Sequence, residues 1–168
     1  SLIKQIRQRD PDVILVDSGG FFGSGMLDEY AINNELDKQR TLLNLKAMDE
    51  MRYDAVAVGE DELNYGLGFV MDYAKNSNIA FLSCNIVSGD NTYLFKPYII
   101  KECASTRFAI IGVSPITAMS KDVACRIMDP KYSVEKVIRE IKDKQMADIV
   151  ILLSHLGEAD DLQLVQEV

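Results

Sequence analysis

Short apolar segments that end in polar, glycine-containing loops alternate with apolar residues at helical spacing, and this alternation limits the possible folds most strongly. Residues 12–17 form such a segment and lead into a Ser-Gly-Gly turn. Leucines and methionines then follow at helical spacing through Met51, before a second apolar segment at 55–58. A helix is predicted over 69–75 and a third strand over 79–83. This order of strands and helices predicts an α/β fold.

The later part of the sequence predicts a hairpin followed by further strand–helix alternation. Two β-rich segments, 96–102 and 107–112, are separated by a short connection, which predicts an antiparallel pair and therefore a mixed sheet. Ser133 is the predicted N-cap of a helix, because the apolar residues after it have helical spacing. Residues 147–153 are the most strand-like segment, and a closing helix is predicted to begin near Glu158.

Composition and charge exclude some classes of partner. Of the 168 residues, 48% are apolar and 26% are charged, as in ordinary globular proteins, and nothing divides residues 1–168 into two domains. The net charge is −8 without a dense basic cluster, so nucleic acid is not an expected partner. No apolar run approaches the ~18 residues of a membrane span, so no membrane partner is expected. An anionic substrate would need a bound cation to reverse the local field.

The three cysteines do not indicate a metal or redox motif. Cys84, Cys103 and Cys125 contain no CxxC pair, and their number is odd. Buried thiols are the favoured interpretation, and a single disulfide stays open as the alternative.

Four loops are candidates for function because ligands of alternating α/β folds bind outside the C-terminal ends of parallel strands. These loops comprise residues 18–24, 59–66, 84–85 and 154–157. The glycine-rich stretch 17–25 lacks the spacing and the lysine of a phosphate-binding P-loop, so a plain turn is the simpler interpretation.

Two of these loops carry charged or metal-binding side chains. Glu60, Asp61 and Glu62 follow a strand directly, and such adjacent carboxylates are tolerated when they are solvated, when they cap amide groups or when they share a cation. His155 is the only histidine and follows another strand, where it is either structural or a metal ligand. The residues alone leave these alternatives open.

Read in order, five segments resemble the metallophosphatase domain of the 5′-nucleotidase family, in the calcineurin-like phosphoesterase superfamily. The resemblance covers nearly the whole chain and is carried by residues 16–24, 58–66, 81–86, 96–113 and 147–161. It implies a mixed-sheet α/β sandwich of the metallophosphoesterase type, incomplete at both ends, so residues 1–168 are expected to be a fragment of a longer domain.

The resemblance also implies a two-metal hydrolase with an altered site. The family's D-x-H motif would precede this chain and its G-H-x-H motif would follow it. Gly20 takes the place of the bridging aspartate, Glu60 that of an asparagine ligand and Asp61 that of the catalytic histidine, while His155 is retained as a metal ligand. Asp61 is therefore the expected catalytic residue, and His155 and Glu60 the expected metal ligands.

The functional expectations follow from this resemblance. They are a divalent metal ion (Mn, Zn, Co or Mg), a small phosphate ester or nucleotide as substrate, and impaired turnover because ligands are missing or replaced. The alternative is a non-catalytic α/β module that presents its strand-end loops to a partner. Family members are often exported, which implies an exported or periplasmic location. An exposed sheet edge implies self-association.

Overall fold

The computed structural model describes residues 2–22, 34–116 and 125–168. The helices are α1 (Leu2–Arg9), α2 (Asn34–Met51), α3 (Leu67–Asn76), α4 (Pro130–Asp143) and α5 (Glu158–Glu167), with a short 3-10 helix at Asp61–Leu63. The strands are β1 (Val16–Asp17), β2 (Ala55–Ala57), β3 (Ala80–Leu82), β4 (Ile86–Ser88), β5 (Tyr98–Cys103), β6 (Thr106–Val113), β7 (Cys125–Ile127) and β8 (Ile149–Ser154). Residues 23–25 of the glycine-rich stretch lie outside the described residues.

The first sheet contains the three strands expected from the alternating pattern. Its order is β1-β2-β3, and both pairs are parallel, with Val16 beside Ala55 and Val56 beside Phe81. Parallel neighbours need a crossover connection, which α2 and α3 provide. The predicted strand–helix order of this half of the chain is confirmed.

The second sheet is mixed, as predicted. β5 and β6 form an antiparallel hairpin, and β8 joins β6 in parallel, giving the order β5-β6-β8. Ala104 and Ser105 connect the hairpin and both have positive φ, at 49° and 64°. Two positive φ values in a two-residue loop suit the right-handed twist of the strands.

The two sheets face each other and helices cover their outer faces. The residues between the sheets include Ala57, Leu82, Ile110 and Leu153. The outer face of the first sheet packs against α2 and α3, and that of the second sheet packs against α4 and α5. The result is a four-layer α/β/β/α sandwich, which confirms the predicted fold class.

Gly112 marks the closest approach of the two sheets. A β-carbon built on Gly112 would lie 2.4 Å from the carbonyl oxygen of Leu82. The Cys84 N–H donates to the Gly112 carbonyl at 2.8 Å, so backbone groups join the sheets here. Only glycine permits this approach.

Two features differ from the sequence expectations. The N-cap of α4 is Asp129, whose side chain accepts a hydrogen bond from the Tyr132 N–H at 2.7 Å, so the prediction of Ser133 as N-cap was wrong. Ser133 lies inside the helix, and its hydroxyl donates to the Asp129 carbonyl at 2.8 Å. In addition, β4 and β7 form a small antiparallel pair that the sequence did not predict.

None of the helices in the described part of the chain combines the length and apolar character that crossing a membrane requires.

Candidate functional site at the strand ends

A buried polar network brings several strand ends together. The hydroxyl groups of Ser83 and Ser114 lie 2.9 Å apart, and the Ser114 hydroxyl also donates to the Val58 carbonyl. The Asn85 side-chain amide donates to the Ser114 carbonyl at 2.7 Å and accepts from the Ser114 N–H at 2.9 Å. Ser83, Asn85 and Ser114 are fully buried. The network therefore fixes the ends of β2, β3 and β6 at one edge of the sandwich, where the sequence placed the functional loops.

Glu62 is the buried charged group of this edge. Its Oε2 atom accepts hydrogen bonds from the N–H groups of Gly20 and Gly59 at 2.9 and 2.7 Å. Its Oε1 atom accepts from those of Phe21 and Phe22 at 2.9 and 3.3 Å. We call these four N–H groups the amide cluster. The Glu62 side chain is completely buried, so the amide cluster replaces the water that an ionised carboxylate would otherwise bind.

Two opposing effects act on the Glu62 carboxyl group. Burial raises its pKa above the usual value, and the hydrogen bonds from the amide cluster offset part of that increase. Among the three adjacent carboxylates, Glu62 accepts hydrogen bonds from four backbone N–H groups. It does so inside the protein, whereas Glu60 is exposed.

The amide cluster also shows what the backbone N–H groups of the glycine-rich loop bind. Backbone N–H groups that converge on one point can hold a phosphate, but here they already bind the Glu62 carboxylate. The Gly19 N–H is also engaged, with the Asp17 side chain at 2.9 Å. The described part of this loop thus behaves as a turn closed by an internal anion, which agrees with the rejection of a P-loop.

His155 follows β8, and its ring lies against two glycines. A β-carbon built on Gly20 would lie 2.5 Å from Cε1 and 3.0 Å from Nε2 of His155. One built on Gly59 would lie 2.8 Å from Cδ2 of the same ring. The imidazole therefore occupies the space that side chains at these positions would fill. Gly20 and Gly59 belong to separate loops, so the structure brings three of the predicted functional loops together at His155.

Glu60 and Asp61 lie at the start of the 3-10 helix next to Gly59. Glu60 is exposed and Asp61 is half-buried, with its Oδ1 atom accepting from the Asn64 side-chain amide at 3.1 Å. Both residues are close in sequence to the glycine that contacts the His155 ring. The loop after β2 therefore carries Glu60 and Asp61 and approaches the His155 ring through Gly59.

The described residues do not fit a two-metal centre. Within 2–22, 34–116 and 125–168, no three His, Cys, Asp or Glu side chains form a group able to hold a metal ion. Gly20 has no side chain that could bridge two ions, and both Glu62 oxygens accept hydrogen bonds from the amide cluster. Neither Gly20 nor Glu62 therefore supplies a free carboxylate that could bridge two like-charged ions.

The sequence analysis did not identify the buried role of Glu62 or the network around Asn85. Glu62 lies in a run of three carboxylates, and its only distinguishing signal is the apolar Leu63 that follows it. Asn85 lies in a loop that was named as a candidate, but its partners Ser114 and Met128 are 29 and 43 residues away in sequence.

Comparison with known proteins agrees with this architecture. No protein-family model matches the chain. The chain is 28% identical over 176 aligned positions to the trifunctional nucleotide phosphoesterase protein YfkN of Bacillus subtilis, covering 93% of this chain and 12% of that protein. It is 29% identical over 171 positions to a 5′-nucleotidase of Vibrio cholerae, covering 94% of this chain and 29% of that protein. The structure of a 5′-nucleotidase precursor from Thermus thermophilus matches 97% of this chain and 32% of that one, with a TM-score of 0.81 and 27% identity.

Its homologues are 5′-nucleotidases and calcineurin-like phosphoesterases. The recognition made from the five sequence segments is therefore confirmed. The chain spans less than a third of the length of the curated relatives it matches first, so the activity of a whole 5′-nucleotidase does not transfer to it directly. The chain shares sequence similarity and the fold with these proteins.

Proposed function

We propose that the chain is a 5′-nucleotidase-like metallophosphoesterase domain whose hydrolysis of phosphate esters is impaired. The observation that carries this proposal is the contact between Gly20 and His155. The glycine offers no ligand atom, and the imidazole fills the space where a side chain would lie. The family resemblance implies a bridging aspartate at position 20. Without that aspartate, the site lacks the group that would hold two metal ions at close range.

The charge at Asp61 supports the same proposal. The family resemblance assigns this position to a histidine that assists the leaving group. An ionised carboxylate there repels the phosphoryl group that an imidazolium would stabilise. We propose Asp61 as the catalytic position of the altered site, and we expect its chemistry to be poor because the charge has the wrong sign.

His155 and Glu60 are the proposed ligands of any single divalent cation that the chain retains. Imidazole suits zinc and similar transition metals such as cobalt, and an exposed carboxylate suits magnesium or manganese. Relatives named nucleotidases and nucleotide phosphoesterases support a nucleotide or small phosphate ester as the ligand. An exported location belongs with this proposal, and the name of one solved relative, a 5′-nucleotidase precursor, supports it.

A non-catalytic binding module is the second candidate, and the amide cluster favours it. The backbone groups best placed to bind a phosphate already bind Glu62. In this alternative the loops contact a partner, and their exposed carboxylates contribute charge without turnover.

The test is phosphatase turnover on an aryl phosphate and on a nucleoside monophosphate, with manganese, zinc or cobalt added. His155→Ala is the matched control. The expected result is no turnover above that of His155→Ala under any metal. Metal-dependent turnover that His155→Ala abolishes would contradict the proposed impairment.

Metal binding is measured separately, because an inactive chain can still hold one ion. The chain contains a single histidine, so the Cε1–H signal of its ring is identified without ambiguity in an NMR spectrum. Broadening of that signal by manganese, reduced in Glu60→Gln, would support a single-ion site. An unchanged signal at millimolar manganese would favour the non-catalytic module.

A further inference from the structure

Glu62 joins two loops through a single oxygen atom. Its Oε2 atom accepts hydrogen bonds from Gly20 in the loop after β1 and from Gly59 in the loop after β2. Its Oε1 atom accepts from the N–H groups of Phe21 and Phe22, which both belong to the first of these loops. The separation between the backbones of Gly20 and Gly59 is therefore fixed by their common acceptor.

The same two glycines form the surface on which the His155 ring lies. The β-carbon position of Gly59 is 2.8 Å from Oε2 of Glu62 and 2.8 Å from Cδ2 of His155, so both side chains lie over this one residue. The β-carbon position of Gly20 is nearest to Cε1 of the ring. Any change in the spacing of the two glycines must move or release the imidazole, because close-packed groups transmit small displacements.

We propose that Glu62 is a positioning residue that sets the place of the His155 imidazole by holding Gly20 and Gly59 at a fixed spacing. The role goes beyond the proposed function, because it holds whether or not the chain hydrolyses a phosphate ester. If Glu62 does not position His155, the results expected for phosphatase turnover and for manganese binding stay the same. A purely structural Glu62 would stabilise the fold without a specific effect on His155.

Chemical rescue can separate these two roles. Glu62→Ala removes one methylene and the carboxylate, and acetate supplies a methyl group and a carboxylate that can occupy the vacated space. In Glu62→Ala the amide cluster loses its acceptor, so the two loops separate and the His155 ring signal shifts. Acetate is expected to return that signal most of the way to its wild-type position. Acetamide has nearly the same shape but only one acceptor oxygen, and it is expected to have little effect.

The measurement is the ring signal of His155 in a heteronuclear NMR spectrum at constant pH and ionic strength, without added metal. Glu50→Ala is the matched control because Glu50 is an exposed glutamate on α2. This control should leave the His155 signal in place both with and without acetate. Glu62→Gln keeps the size of the side chain but provides one acceptor oxygen, so its His155 signal should shift and should respond weakly to acetate.

Each outcome decides the role of Glu62. A displaced His155 signal that acetate restores supports positioning, and so does an unfolded Glu62→Ala chain that acetate refolds with a native His155 signal. A folded Glu62→Ala or Glu62→Gln chain with an unshifted signal overturns it, and so does a folded Glu62→Ala chain whose displaced signal acetate does not restore. If neither variant folds and acetate restores no native signal, Glu62 serves general stability and the positioning role is wrong.

Discussion

At the residue scale, the missing side chain of Gly20 determines where His155 can lie. Gly20 has φ of +79°, and its β-carbon position overlaps the imidazole. We predict that Gly20→Ala lowers the free energy of unfolding by about 1–3 kcal/mol, because both the backbone conformation and the contact become unfavourable. Urea denaturation monitored by circular dichroism measures the change.

The double variant identifies which of the two causes dominates. In a His155→Ala background the overlap is absent, so Gly20→Ala should cost less there than in the wild type. Equal costs in both backgrounds would show that the imidazole contact contributes nothing and that only the positive φ matters.

Cys84 provides a second prediction at this scale. All three thiols are free, Cys84 is buried, and burial raises the pKa of its thiol to about 12. The thiolate is the reactive form, so at pH 8.5 less than about one Cys84 thiol in a thousand is ionised. Iodoacetamide followed by mass spectrometry should therefore label the half-exposed Cys103 and Cys125 in the native protein, and Cys84 only after denaturation. Labelling of Cys84 at the rate of Cys125 would show that the thiol is accessible.

The sequence predicted the place of His155 but not the role of Glu62. A histidine directly after an apolar strand is a local signal, so its position at a strand end could be read from neighbouring residues. Which carboxylate of three turns inward depends on the N–H groups of residues 20–22, about forty positions earlier. The sequence of the loop around Glu62 does not indicate that it pairs with these N–H groups.

At the element scale, α4 shows how a helix start can be misjudged by one turn. Asp129 accepts from the Tyr132 N–H and is followed by Pro130, whose missing N–H is tolerated at the first helical position. We predict that Asp129→Ala lowers the free energy of unfolding by about 1 kcal/mol. Asp143→Ala at the other end of α4 is the control and should leave stability unchanged or slightly raised, because it removes a negative charge from the helix C-terminus. Equal effects of both variants in urea denaturation would reject the capping role.

The elements that were predicted correctly have strong local patterns. The β5–β6 hairpin and β8 have long apolar segments, and α2 and α4 have apolar residues at helical spacing. The β4–β7 pair was missed because each strand has only three residues and they are far apart in sequence. Such pairing depends on tertiary contacts, which local propensity does not describe.

At the scale of the whole molecule, the two sheets could be expected from the resemblance, but the contact that sets their spacing could not. It depends on Gly112 and Leu82, which lie on strands of different sheets.

Self-association through a sheet edge stays a prediction. Ile149 on the outer strand β8 is 47% exposed, and Val165 on α5 is 78% exposed. Sedimentation velocity across a concentration series would detect it.

The contact between the sheets leads to the last prediction. A β-carbon at Gly112 would lie 2.4 Å from a backbone oxygen of Leu82, and no side-chain rotation can relieve that overlap. Gly112→Ala must therefore separate the two sheets locally, and we expect it to lower the free energy of unfolding by about 3 kcal/mol, the upper part of the range for overpacking. The Cys84 N–H to Gly112 carbonyl hydrogen bond should weaken at the same time.

Gly68→Ala is the matched control, because it makes the same chemical change where there is space. Gly68 lies in α3 with nothing within 4 Å of its β-carbon position, so alanine should raise the free energy of unfolding by roughly 0.5–1 kcal/mol through helix propensity. Urea denaturation of both variants gives the comparison, and amide hydrogen exchange at Cys84 reports whether the sheets separate. If Gly112→Ala were as stable as Gly68→Ala with Cys84 still protected, the close approach of the sheets would not limit the fold. If Gly112→Ala lowers the free energy of unfolding and Gly68→Ala raises it, the spacing of the two sheets depends on Gly112.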